Sequence, residues 1–183
     1  MKYMIASDIH GSAYYCEKLL ELFQEEKADK LLLLGDILYH GPRNPLPKEY
    51  SPAKVADLLN NLKENVLCVR GNCDSEVDQM VLEFPIMADY AVIEVDGVTL
   101  FATHGHIFNL ENIPPFCPNT VLLNGHFHVT VCDKKKDFIY MNPGSVSLPK
   151  ECTNHSCILF KNNHFRWVDL QNKETFKTFQ ITG

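Results

Sequence analysis

The chain has 183 residues, 45% of them hydrophobic and 22% charged, with a formal net charge of −6. That length suits one domain spanning 1–183 with a substantial core. The charge excludes an extended nucleic-acid surface, and no stretch approaches the ~20 apolar residues of a membrane span. Seven irregularly spaced cysteines argue against a disulfide framework and predict a reducing, cytoplasmic setting.

Residues 2–7 read as a first strand that turns polar at Ser7-Asp8, too soon for a signal-peptide apolar core. Tyr15 to Glu26 reads as a helix, with Cys16, Leu19, Leu20 and Phe23 on one face. The run Leu31-Leu32-Leu33-Leu34, closed by Gly35, is a buried parallel strand. Four prolines make the segment from His40 to Pro52 irregular. Val55, Leu58, Leu59 and Leu62 mark a second helix, and Val66–Val69 a third strand. This β-α-β-α-β order predicts parallel strands with covering helices.

The second half changes style. Ala91–Val95 and Val98–Thr103 flank Asp96-Gly97, a two-residue hairpin signal. Further strands are expected at Val121–Leu123, Val129–Cys132, Phe138–Met141, Ser156–Phe160 and Phe165–Leu170, with a turn at Asn162-Asn163. The basic run Lys134-Lys135-Lys136, between Asp133 and Asp137, reads as a solvated hairpin tip. Cys152-x-x-His155-x-Cys157 lacks a fourth ligand and reads as turn and strand. Phe84, Pro85, Ile86 and Met87 are either an exposed apolar patch, leaving a homo-oligomer open, or core cover. A polar tail is expected to fray towards Gly183. The sum is an α/β fold: a two-sheet β-sandwich core flanked by helices.

Seven donors sit at the ends of five of these apolar runs: Asp8 and His10, Asp36, Asn72, His104, and His126 and His128. Ligands in open α/β sheets collect outside the carboxyl ends of strands. If the backbone stays extended past a strand end, residues i and i+2 face one point, which pairs Asp8 with His10 and His126 with His128. Gly35, Gly71, Gly105 and Gly125 adjoin these donors and permit close backbone approach. Oxygen and imidazole donors suit divalent transition metals. Two such ions close together activate water against a phosphate ester.

The ordered set Asp8-x-His10, Gly35-Asp36, Gly71-Asn72, His104-Gly105 and Gly125-His126-x-His128 resembles the signature of the calcineurin-like metallophosphoesterases. The segments from Arg70 to Met80, His40-Gly41-Pro42-Arg43-Asn44 and Asn142-Pro143-Gly144-Ser145 resemble a phosphodiesterase branch of that family. The resemblance implies an α/β/β/α sandwich and a phosphodiesterase acting on a small-molecule phosphoester. It assigns Asp8, His10, Asp36 and His128 to one metal and Asp36, Asn72, His104 and His126 to the other, with Asp36 bridging and a hydroxide between the ions. It favours two manganese ions; zinc, iron and nickel also suit the ligands. Two carboxylates, two divalent ions and one hydroxide leave a formal charge of about +1 to attract phosphate.

Many family members place histidine after the Gly-Asn motif, where this chain has Cys73. A neutral thiol is a poor substitute, so His106 becomes the candidate leaving-group donor. Arg43 and His40 are candidate substrate contacts. Cys73, Asp74 and Asn142 are candidates for supporting the ligands from behind. The alternatives are a phosphomonoesterase or nuclease on the same scaffold, and a non-catalytic interaction module such as the retromer subunit with this fold, which predicts degraded ligands.

Overall fold

The computed structural model describes residues 1–115 and 120–181, so the tail end at Gly183 lies outside the described residues, as does part of the loop over 107–118. In chain order the elements are β1 (Tyr3–Ala6), α1 (Ala13–Glu25), β2 (Lys30–Leu33), α2 (Pro52–Asn60), β3 (Val66–Cys68), α3 (Glu76–Gln79), β4 (Tyr90–Val95), β5 (Val98–Thr103), β6 (Thr120–Leu123), β7 (Thr130–Lys134), β8 (Phe138–Pro143), β9 (Ser156–Lys161), β10 (His164–Asp169) and β11 (Thr175–Gln180). A 3₁₀ turn over Lys63–Asn65 leads into β3.

Two mixed sheets result. The six-stranded sheet runs β11-β10-β9-β1-β2-β3 and the five-stranded sheet β4-β5-β6-β8-β7. The pairs β1–β2, β2–β3, β5–β6 and β6–β8 are parallel. Strand alternation divides the apolar runs between two cores. Met4, Leu31 and Leu33 face the helical side with Leu19 and Phe23 of α1 and Val55 and Leu59 of α2. Ile5, Leu32 and Leu34, with Phe160 and Trp167 of the same sheet, face the other sheet, where they meet Leu100, Val121 and Leu123. The four-leucine run is therefore a central strand buried on both faces. A third, smaller cluster of Phe101, Leu122 and Tyr140 lies elsewhere, with Phe108, Val131 and Phe138 packed on it.

The predicted two-sheet sandwich with flanking helices is present, as are the hairpin at Asp96-Gly97 and the turn at Asn162-Asn163. Three readings need correction. The polar tail contributes β11, which pairs antiparallel with β10. The first helix starts at Ala13, because the Ser12 side chain caps it by accepting from the Tyr15 N–H. Leu62 lies past the second helix, which closes at its cap, Asn61, yet Leu62 still packs on the core. Phe84 and Ile86 are buried, so that segment is core cover. His155 hydrogen-bonds the Val146 carbonyl and stacks on Tyr15, and Cys157 is buried in β9, so Cys152 to Cys157 is turn and strand.

Candidate metal centre

The strand ends β1, β2, β3, β5 and β6 deliver the seven donors to one place. The route is not the extended backbone expected from i, i+2 spacing. Asp8, His10, Asp36, His126 and His128 all have positive φ, between 50° and 63°. Each is a left-handed residue costing roughly 1–2 kcal/mol. These reversals aim Asp8 with His10, and His126 with His128, into the same space.

Close approach of the loops requires glycine at two points. A Cβ on Gly71 would lie 2.1 Å from Asp36 Oδ1, and one on Gly125 would lie 1.8 Å from Ser7 Oγ and 2.8 Å from Asp8 Oδ2. No other residue lets the β3 and β6 ends come this near the two carboxylates.

Three imidazoles are fixed in one tautomer. Nδ1–H of His10 donates to the Tyr39 carbonyl at 2.8 Å, that of His104 to Leu34 at 2.7 Å, and that of His128 to Leu148 at 2.7 Å. Each therefore turns Nε2 inward, the arrangement that orients histidine as a metal ligand. His10 Nε2 and His128 Nε2 lie 3.2 Å apart. Asp8 Oδ1 lies 3.1 Å from His128 Nε2 and 3.5 Å from His10 Nε2, yet this buried oxygen has no well-aligned hydrogen bond. Asp36 Oδ2 lies 3.7 Å from His10 Nε2 and 3.4 Å from His104 Nε2. His104 Nε2 is 3.1 Å from Asn72 Oδ1, and the His126 ring centroid is 5.1 Å from that of His104. Crowded nitrogen and oxygen lone pairs around an orphaned carboxylate oxygen fit a divalent transition metal.

The electrostatics agree. Burial works against the Asp8 carboxylate, but His10 and His128 outweigh it and hold the group well below the usual range. Burial likewise opposes charge on His104, yet Asp36 and Asp8 push it up to about 9. Without metal, protons shared between carboxylate and imidazole take the place of cations. His126 is instead pushed down to about 4 by burial and by His104, so it stays neutral with a free lone pair. Burial, reinforced by Asp36, pushes the Cys73 thiol up to about 12, which keeps it neutral and a weak donor.

The supporting residues divide. Asp74 accepts from the N–H groups of Asp36, Ile37 and Gly71 at 2.8, 2.9 and 2.7 Å. It thereby holds the backbone of the loops that carry Asp36 and Asn72. Asn142 donates to the Gly125 carbonyl at 2.7 Å and accepts from Gly144 N–H at 2.8 Å, so it steadies the His126 loop. The Cys73 N–H donates to Asp36 Oδ1 at 2.8 Å. Sequence reasoning missed the role of Ser145 and Ser147, whose hydroxyls donate to the Asp8 carbonyl at 2.8 and 3.2 Å. The only sequence signal was the small-residue run after Asn142.

An open cleft of about 400 Å³ covers the centre, lined by Asp36, Arg43, Asn72, His126, His128 and Lys150 among others. Arg43 is thus brought to the site. His40 is not among the residues lining the cleft; its ring makes edge contacts with Tyr39 and Tyr50. Lys150 escaped the sequence reading because one lysine in a loop carries no signal. His106 lies beside His104 and His126, with ring centroids 5.4 and 6.5 Å away. Burial and His104 lower its pKa, and its Nδ1 is buried without a partner.

Comparison with known proteins agrees with this geometry. Residues 1–164 match the calcineurin-like phosphoesterase superfamily domain. The phosphodiesterase YfcE of Escherichia coli is 53% identical over 150 residues, covering 82% of each chain. A phosphodiesterase of Methanocaldococcus jannaschii is 27% identical over 151 residues, covering 79% of this chain and 83% of that one. A solved structure of Yfce, described as a phosphoesterase from E. coli, superposes with a TM-score of 0.96 at 45% identity over 100% of both chains. Vacuolar Protein Sorting 29 from Cryptosporidium parvum shares the fold at a TM-score of 0.65 and 18% identity, covering 98% of each chain. With its five donor-bearing strand ends intact and the family's domain running through nine-tenths of its length, the chain belongs to the calcineurin-like phosphoesterase superfamily.

Proposed function

We propose that this protein is a metal-dependent phosphodiesterase that hydrolyses small phosphodiesters at a two-metal centre. The observation that carries the reading is Asp36 Oδ2, which faces His10 Nε2 at 3.7 Å and His104 Nε2 at 3.4 Å. One carboxylate oxygen thus addresses both halves of the donor set. Asp8, His10, Asp36 and His128 would hold one ion, and Asp36, Asn72, His104 and His126 the other. Manganese is the proposed metal, and zinc, iron and nickel also fit the ligand chemistry. When bound, the ions supply Lewis-acid charge to the phosphoryl oxygens and lower the pKa of water enough to furnish the nucleophile.

The chain's own residues do the rest. Arg43 and Lys150 present cations to the cleft and would orient the phosphoryl oxygens. His106 is the proposed proton donor to the departing oxygen, acting from the protonated form that its lowered pKa favours only at acidic pH; the neutral Cys73 thiol holds its proton too tightly. The 53% identical relative is named a phosphodiesterase, which supports diesters over monoesters. Free cysteines among the described residues support a reducing, cytoplasmic setting. No described helix is long and apolar enough to cross a membrane.

The test is hydrolysis of an aryl phosphodiester by protein stripped of metal and titrated with manganese, with Asp36→Asn alongside. Activity should return with metal and saturate at two ions per chain. The variant should lose more than about 100-fold in activity, beyond the cost of losing a mere partner of a ligand. Absence of turnover with two ions bound per chain rejects the reading.

A further inference from the structure

A second cavity of about 490 Å³ adjoins the cleft and shares His126 and Phe127 with it. Its character differs. Leu110, Val131, Tyr140 and Phe127 supply apolar walls, His106 lines it, and the charged residues lining it are Glu111 and Asp133. The cleft's cations, Arg43 and Lys150, are absent from its lining. Leu110 and Phe127 are 40% and 44% exposed, an unusual expense for large apolar side chains beside a site so dense in charge. Asp133 is paired with Lys135, whereas Glu111 has no ion pair among the described residues.

We infer that this cavity seats the leaving arm of the substrate, and that the arm is apolar or aromatic and carries no negative charge. The inference rests on the phosphodiesterase reading and narrows its substrate class. A phosphate held in the cleft between Arg43 and the donor set has its next bonded group within reach of the shared wall formed by His126 and Phe127. His106, which also lines the cavity, stands beside the oxygen that departs with that arm. An arm ending in phosphate or carboxylate meets the carboxylates of Glu111 and Asp133 and no cation among the lining residues, and it gives up hydration for apolar walls.

The experiment uses three methyl phosphodiesters, of phenol, 4-propylphenol and 4-(2-carboxyethyl)phenol, whose leaving groups differ little in acidity. With manganese-loaded protein, kcat/KM should rise about tenfold from phenol to 4-propylphenol, within what the three buried carbons of the propyl group supply. It should fall at least tenfold for the carboxylate. Leu110→Glu, a change at an exposed position, should cancel the propyl advantage. In metal-free protein, 4-propylphenol should shift the methyl resonances of Leu110 and Val131 in NMR spectra. Turnover of all three diesters at equal kcat/KM, or a propyl advantage that survives Leu110→Glu, overturns the cavity assignment while sparing the phosphodiesterase. No turnover of any diester by metal-loaded protein sinks both.

Discussion

His104 shows how far one side chain is committed to the centre. Its Nδ1 proton is tied to the Leu34 carbonyl, and its Nε2 faces Asp36 and Asn72. Burial disfavours its charge, but Asp36 and Asp8 prevail and set it at about 9. The value is raised above the ordinary imidazole range of about 6.5, so the pair stabilises metal-free protein fully below that pH. The contribution is lost as pH rises through about 9. A metal must displace the Nε2 proton, so binding at pH 7.5 should release it. Calorimetric titration of manganese in buffers of differing ionisation enthalpy should find proton release that diminishes as pH passes 9. Release independent of pH between 7 and 10 would contradict the assignment of His104 as a ligand.

At the level of elements, the centre depends on loops being stitched to one another. Asp74, just before α3, gathers three N–H groups from the loops that follow β2 and β3. Asp74→Ala leaves those buried donors unpaired, at about 1–3 kcal/mol each before relaxation. A loss of at least about 3 kcal/mol in urea denaturation is expected, with metal affinity down roughly 10–100-fold. A variant of unchanged stability would show that water replaces the carboxylate. The elements themselves differed in legibility. Leucine runs and i, i+3, i+4 spacing located β2, α1 and α2, because burial imposes those periods. Thr175–Gln180 escaped because β11 is an edge strand with mostly exposed side chains, and no face had to be apolar. The short α3 did leave a mark: Ser75 and Asp78 form a reciprocal capping box. The convergence of the seven candidate donors was legible from residue type and place. Their left-handed backbone was not, since aspartate and histidine mark positive φ far more weakly than glycine does.

Across the whole molecule, the two sheets and the centre form one connected body. Trp167, the chain's one tryptophan, is fully buried on β10 and donates from Nε1 to the Asn142 carbonyl on β8 at 2.9 Å. Asn142 in turn holds the Gly125 carbonyl beside His126. A single path of hydrogen bonds therefore runs from the six-stranded sheet through the five-stranded one to a candidate ligand. Trp167→Phe should cost about 1–3 kcal/mol, for the lost bond and the unfilled volume. Thermal unfolding followed by circular dichroism should register roughly 2–4 °C per kcal/mol at this size. Manganese affinity should weaken in the same variant, whereas an independent pair of sheets would lose stability alone.

The left-handed conformation of Asp8, His10, Asp36, His126 and His128 bears on any effort to engineer the protein. A sequence chosen only for comfortable folding would put glycine or asparagine at all five positions. Each replacement would relieve the backbone but give up the contacts the native side chain makes, such as that between Asp36 and His104, and glycine would remove a donor outright. Backbone comfort and chemistry thus pull apart on this chain, and these five positions are the ones a thermostabilisation library must leave untouched.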